Sequence, residues 1–248
     1  MLGDHLQLPP VCEIKDDKLR GFIEKGEKRK YSFMWAQSAL HAESYLFKEI
    51  EDLQKAYMEL SDPEFRITKK ANLTISHRFG NNFAAILDEC IYGNGITGVA
   101  EHPLKIECVD AVCDSKKSRE NRAEVDAIGE YLVENQLSPE EFVILTPYKE
   151  QVDLLNKTYP ERRDNILAVH KSQGREWNTV ILSVADPGSS DKTAPLRFTS
   201  TVDESSVGRK VMNTAVSRAK RNLVVVCDNE FWSEKDGELI GKLASYTQ

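Results

Sequence analysis

Long hydrophobic runs are missing from these 248 residues. No apolar stretch approaches the length of a membrane span, and the N-terminus lacks the basic-then-apolar pattern of a signal peptide, so a cytoplasmic protein with no membrane partner is expected. Paired cysteines are missing too. The five present (Cys12, Cys90, Cys108, Cys113, Cys227) are scattered and fall in no CxxC or histidine-flanked spacing, so they read as reduced core residues, and no metal site is expected. Positive charge is scarce overall. The 33 Lys and Arg against 40 Asp and Glu leave a net charge of −7, which excludes a protein that coats nucleic acid with its whole surface. A local basic groove stays open, because cations cluster at Lys28-Arg29-Lys30, at Lys116-Lys117 with Arg119 and Arg122, and from Arg209-Lys210 to Arg218-Ala219-Lys220-Arg221. A solvated face is the commoner meaning of any one such cluster.

What is present is an ordinary globular composition, 40% hydrophobic and 29% charged, long enough for one large domain or two small ones. Residues 14–68 are charged and helix-favouring, and Leu46, Ile50, Leu53, Tyr57 and Leu60 keep the three- and four-residue spacing of an amphipathic helix from about Trp35 to Leu60. Beyond Thr68 the texture changes. Phe83, Ile86, Leu87, Cys90 and Ile91 form a helical stripe closed by glycines, and Leu104 to Val112 reads as a strand. Arg119 to Asn135 predicts a helix with Val125, Ile128, Leu132 and Val133 inward. Strands are predicted at Phe142 to Leu145, Ile166 to Val169, Val180 to Val184 and Leu223 to Cys227, with helices at Tyr148 to Leu155, at 207–220 and from Phe231 to Ala244. Strands apolar on both faces, separated by amphipathic helices, imply a parallel sheet covered on both sides. Ligands then bind beyond the carboxyl ends of the strands.

Polar loops stand where such ends are expected. They are GDHLQLPP at the start, Leu73-Thr74-Ile75-Ser76-His77-Arg78-Phe79, Leu145-Thr146-Pro147-Tyr148-Lys149-Glu150-Gln151, and Ala168-Val169-His170-Lys171-Ser172-Gln173-Gly174-Arg175-Glu176. To these is added the segment Met212 to Lys220, where helical spacing from Val211 and Ala215 puts Arg218 on an otherwise apolar stripe. A buried guanidinium needs an anion, either a carboxylate within the protein or a ligand.

The ordered set GDHLQLPP, LTISHRF, ILTPYKEQ, AVHKSQGREWNTVILS and MNTAVSRAKRNLVVV resembles motifs III and IV, the Pro-Tyr loop, and motifs V and VI of superfamily 1 nucleic-acid helicases. It is most similar to the branch typified by the nonsense-mediated-decay RNA helicase. The resemblance implies an α/β, RecA-like (P-loop NTPase-type) three-layer domain with a mostly parallel sheet over 69–248. Residues 14–68 become a helical insertion, and 1–13 the end of a missing first RecA-like domain. Arg218 and Arg78 take the places of arginine fingers that neutralise the terminal phosphate of ATP. Gln7 becomes the amide that senses this phosphate, Glu176 the acceptor for the ribose hydroxyls, and Gly174 the site of close backbone approach. Thr146, Tyr148, His170, Lys171 and Ser172 line a track for single-stranded DNA or RNA. Two departures stand out. His77 replaces the family's usual tyrosine, and His170-Lys171-Ser172 is closer to the DNA-repair branch.

A phosphate loop is also absent. No GxxxxGK followed by Ser or Thr occurs, Gly241-Lys242-Leu243 being the nearest approach, so the loop and the Mg2+ ligands are expected in a preceding domain. The chain alone is then expected to be inactive. A catalytically inert RecA-like interaction module is the alternative. A nuclease built on Asp110, Asp114, Glu120 and Glu124 is disfavoured, because helix 119–135 reads more simply as an exposed charged face.

Overall fold

The computed structural model describes residues 6–8, 74–112, 119–186, 195–203, 206–235 and 237–246. The chain divides into two units, Met1–Asn72 and Leu73–Gln248. In the first, only Leu6, Gln7 and Leu8 are described, as a half-buried turn. The rest of the 1–13 segment, the expected helical insertion at 14–68 and the cation clusters at 28–30 and 116–117 lie outside the described residues.

The second unit opens with a small parallel pair, β1 (Ile75–Ser76) and β2 (Thr97–Gly98), on either side of α1 (Asn81–Leu87), which continues as a wider turn through Asp88–Tyr92. The main elements follow as β3 (Lys105–Asp110), α2 (Arg122–Glu134), β4 (Phe142–Thr146), α3 (Lys149–Thr158), β5 (Ile166–Ala168) and β6 (Trp177–Ser183). The unit closes with α4 (Val207–Val216), β7 (Ala219–Cys227), α5 (Asn229–Ser233) and α6 (Leu239–Ala244). Strands β3-β7-β6-β4-β5 form one sheet in that order, and every pair in it is parallel. This is the expected α/β, RecA-like arrangement.

Both faces are apolar for the reason the sequence suggests. All five residues of β4 are buried, and successive side chains point to opposite faces. Phe142 and Ile144, with Ile181 and Val224 of the central strands, pack under Val125, Ile128 and Leu132 of α2 and Leu155 of α3. The intervening Val143, Leu145, Val180, Leu182, Leu223 and Val225 are just as buried. Helix α4 packs on β6, and α6 on β3 and β7. Each large side chain so buried contributes about 1.5–3 kcal/mol.

Four expectations need correction. Val133 is 72% exposed, because the inward arc of α2 is already filled by Val125, Ile128 and Leu132 at three- and four-residue steps. The helix expected over 207–220 stops at Val216, with Ser217 as its C-cap. Arg218 therefore sits in the turn into β7, which starts four residues earlier than expected, where Ala219 pairs with Trp177. The single helix expected from Phe231 to Ala244 is two helices, the second starting after Glu238. Finally, Glu124 is 1% exposed, so α2 does not simply present an exposed charged face. Among the described residues no helix is long and apolar enough to cross a membrane.

Candidate functional site at the two edges of the sheet

The loops expected to share the carboxyl ends of the strands are divided between opposite edges. Strand β5 pairs only with the carboxyl half of β4, from Ile144↔Ile166 to Thr146↔Ala168, whereas β6 begins two residues before Thr179, the partner of Phe142. The chain must therefore run back across the sheet between Ser172 and Trp177. It does so through a 3-10 turn at Val169–Ser172 that lies against α4. His170, Lys171 and Ser172 stay near the carboxyl edge, while Glu176 arrives at the amino edge.

At the amino edge three distant segments meet. Arg78 leaves β1 with its peptide N–H on Ser76 Oγ at 3.3 Å. Its Nη1 donates to the Ser217 carbonyl, 139 positions away, at 2.8 Å, and its Nη2 pairs with Glu176 Oε1. Lys220 Nζ stands 3.6 Å from the other Glu176 oxygen. Gly174, at φ +75°, makes the turn that delivers this carboxylate, a conformation L side chains rarely hold. Arg175 stacks 4.8 Å from the centre of the Trp177 ring. Arg218 is 6% exposed and donates from Nε to the Thr214 carbonyl at 3.0 Å, while its own carbonyl accepts the Trp177 N–H at 3.1 Å. The Arg78 and Glu176 side chains are 29% and 31% exposed, so their ion pair adds only about 0–1 kcal/mol to stability. Its consequence is positional, since it holds a cationic fork and a carboxylate side by side at the surface. His77, beside them, is exposed.

At the carboxyl edge His170 and Lys171 are exposed, whereas Ser172 is buried with its Oγ on the Val169 carbonyl at 2.7 Å. Thr146 is fully buried and Tyr148 is 2% exposed, so these two expected track residues lie beneath the edge. An open hollow of about 880 Å³ flanks β5, its charged lining made of Lys149, Arg163, Lys171 and Arg175 with Asp153 and Asp164. Among the described residues no group of three or more His, Cys, Asp or Glu could hold a metal ion.

Sequence reasoning missed a buried polar network at this same edge. The Asn121 side chain caps α2 by accepting the Glu124 N–H at 3.2 Å. Glu124 in turn accepts from Ser183 Oγ at 2.5 Å and from the Ala185 N–H at 2.8 Å. Gln151 donates to Ser183 Oγ at 2.9 Å and accepts the Asn121 N–H at 2.8 Å. Burial pushes the Glu124 carboxyl up to about 8, against the pull of these donors. The available signal was the Asn-x-x-Glu spacing at the head of α2, a capping-box pattern. The Gln151 side chain takes the Asn121 N–H that the glutamate of a capping box would normally accept.

The sequence profile of the AAA domain family matches residues 104–230, from the start of β3 into α5. No curated protein matches the chain in sequence. Solved structures with some likeness include the arterivirus nonstructural protein 10 helicase in complex with DNA, at 17% identity and a TM-score of 0.37, over 73% of this chain and 30% of that one. The C-terminal domain of a possible DNA helicase from Lactobacillus plantarum WCFS1 is similar at 16% identity and a TM-score of 0.38, over 61% of this chain and 87% of that one. The PRRSV nsp10 helicase follows at 16% identity and a TM-score of 0.32, over 65% of this chain and 25% of that one. The chain thus spans less than a third of the viral helicases it matches. Likeness this distant assigns no activity.

Proposed function

This chain belongs to the AAA domain family, and on that premise we propose that it is the second motor domain of an ATP-dependent superfamily 1 helicase. The meeting of Arg78, Glu176 and the Ser217-Arg218 turn at one edge carries the reading. Three segments that resemble motifs IV, V and VI, far apart in sequence, converge there through the Arg78 bonds to Ser217 and Glu176. A fork of guanidinium donors with Lys220 nearby suits an anionic triphosphate, since a permanently charged planar group matches phosphate oxygens better than a point charge does. Bound ATP supplies the phosphoryl group whose cleavage drives movement. Arg78 and Arg218 neutralise charge on its terminal phosphate, and Glu176 accepts from the ribose hydroxyls beside Gly174. Gln7 couples the state of the terminal phosphate to the grip on the strand.

The carboxyl edge takes single-stranded DNA or RNA. His170 and Lys171 meet the backbone, and Ser172, Thr146 and Tyr148 shape the loops below them. Because no GxxxxGK with a following Ser or Thr occurs in the 248 residues, the proposal requires an N-terminal RecA-like domain that brings the phosphate loop and the Mg2+ ligands.

ATP turnover tests this directly. The 248-residue chain by itself is expected to hydrolyse ATP no faster than buffer, and strand-stimulated turnover by it would overturn the two-domain reading. In a protein that joins it to the phosphate-loop domain, Arg218→Ala should bind nucleotide nearly as well as wild type while turnover drops about a thousandfold or more. Unchanged turnover would return Arg218 to a purely structural role.

A further inference from the structure

Arg119 belongs to a cation cluster that neither edge yet uses. It is exposed, and among the described residues it joins none of the ion pairs. Its guanidinium carbon instead lies 5.5 Å from the centre of the Tyr148 ring and 5.9 Å from that of Phe198. The two rings meet edge to face at 6.0 Å. All three residues follow carboxyl ends of strands, Arg119 after β3, Tyr148 after β4 and Phe198 after β6.

The support beneath Phe198 is more elaborate than a surface loop needs. Asp186, 2% exposed, accepts the Leu196 N–H at 2.8 Å and the Thr199 hydroxyl. Glu238 accepts from Ser200 Oγ and Thr201 Oγ1, each at 2.8 Å. Ser206 Oγ donates to the Ser200 carbonyl at 2.7 Å. Two buried carboxylates and the head of α4 thus hold one aromatic turn in place. An arginine backed by rings offers its outer face as a flat, cationic surface, and nucleobases stack on such surfaces whatever their identity.

We propose that Arg119, backed by Tyr148 and Phe198, is a nucleobase-stacking platform for the single strand. This rests on the single-strand reading of the carboxyl edge and gives the buried Tyr148 a part in it, as the support of Arg119 rather than as a direct contact.

Binding of the 248-residue chain to a fluorescent oligothymidylate, compared with an abasic deoxyribose-phosphate oligomer of equal length, separates the two claims. Wild type should prefer the base-bearing oligomer. Arg119→Lys, which keeps the charge and loses the plane, should weaken oligothymidylate binding by about tenfold while leaving abasic binding and the salt dependence unchanged. Phe198→Leu, which keeps the apolar bulk, should lose part of the same preference. If both oligomers bind equally well, or if Arg119→Lys binds as wild type does, the single-strand reading stands and the platform falls. If neither oligomer binds at low salt, both fall.

Discussion

Glu124 stands at the third position of α2, where a carboxylate ordinarily faces water and favours the helix dipole. Here it is buried, and its bonds from the Ala185 N–H fix a residue at φ +48°, a left-handed backbone that costs an alanine about 1–2 kcal/mol. Burial is the largest influence on its acidity and raises the carboxyl from 4.5 to about 8; Ser183, Ala185 and Asn121 pull the other way, and the charge of Asp186 adds to the rise. The folded chain therefore holds this proton more tightly than the unfolded chain. The stability this contributes is fully present below about pH 4.5 and is lost as pH rises through about 8. Glu124→Gln keeps an acceptor for Ala185 and gains a donor for Ser183, so it mimics the protonated form. Wild type is expected to lose a few kcal/mol relative to this variant between about pH 5 and about pH 8. Thermal unfolding across that range checks it, and parallel curves for the two proteins would remove Glu124 as the source.

At the scale of elements, the head of α4 and the turn before it act as one part. Ser206 caps the helix by accepting the Arg209 N–H at 3.0 Å. A Cβ at Gly208 would collide with the Ser200 carbonyl and lie 2.7 Å from that of Arg197. Only glycine lets the helix approach the turn that carries Phe198. Gly208→Ala should push the two apart and destabilise the unit by about 1–3 kcal/mol, against about 1 kcal/mol for Ser206→Ala, which removes only the cap. Urea midpoints rank the two, and an alanine at 208 that leaves the midpoint unmoved would contradict the close packing. In the same way β5 and its crossover act together. Three residues paired high on β4 force the following chain back across the sheet, and this return divides the QGRE loop from the His170-Lys171 turn.

For the whole molecule, a net charge of −7 coexists with cations gathered at the edges of the sheet. Strand binding should therefore be local, salt-sensitive and shallow in slope. About three phosphate contacts, from the neighbourhood of Arg119, Lys149 and Lys171, give a slope of about −2 in log K against log salt. A titration of oligothymidylate affinity against salt measures it, and a slope several times steeper would mean that the strand crosses more of the surface than this edge.

Much of the fold was legible in the chain because strand burial and helix amphipathicity are local periodicities. Phe142 to Leu145 read as a buried strand, and Val125, Ile128 and Leu132 as an inward stripe, and each is found so. The sequence by itself also singled out Arg78, Glu176 and Arg218, since they stand in segments that resemble family motifs. Tertiary structure alone decided where they stand. The edge at which a loop emerges depends on strand register and crossover length, which periodicity does not encode, so Glu176 and Arg218 lie at the amino edge rather than beyond the carboxyl ends. Burial of Tyr148 and Glu124 followed the same logic, because an aromatic or an acid beside a strand end is covered or exposed according to what packs over it. Arg119 and Phe198 are 79 positions apart in the chain, and only the packing of three loops over one edge makes them neighbours.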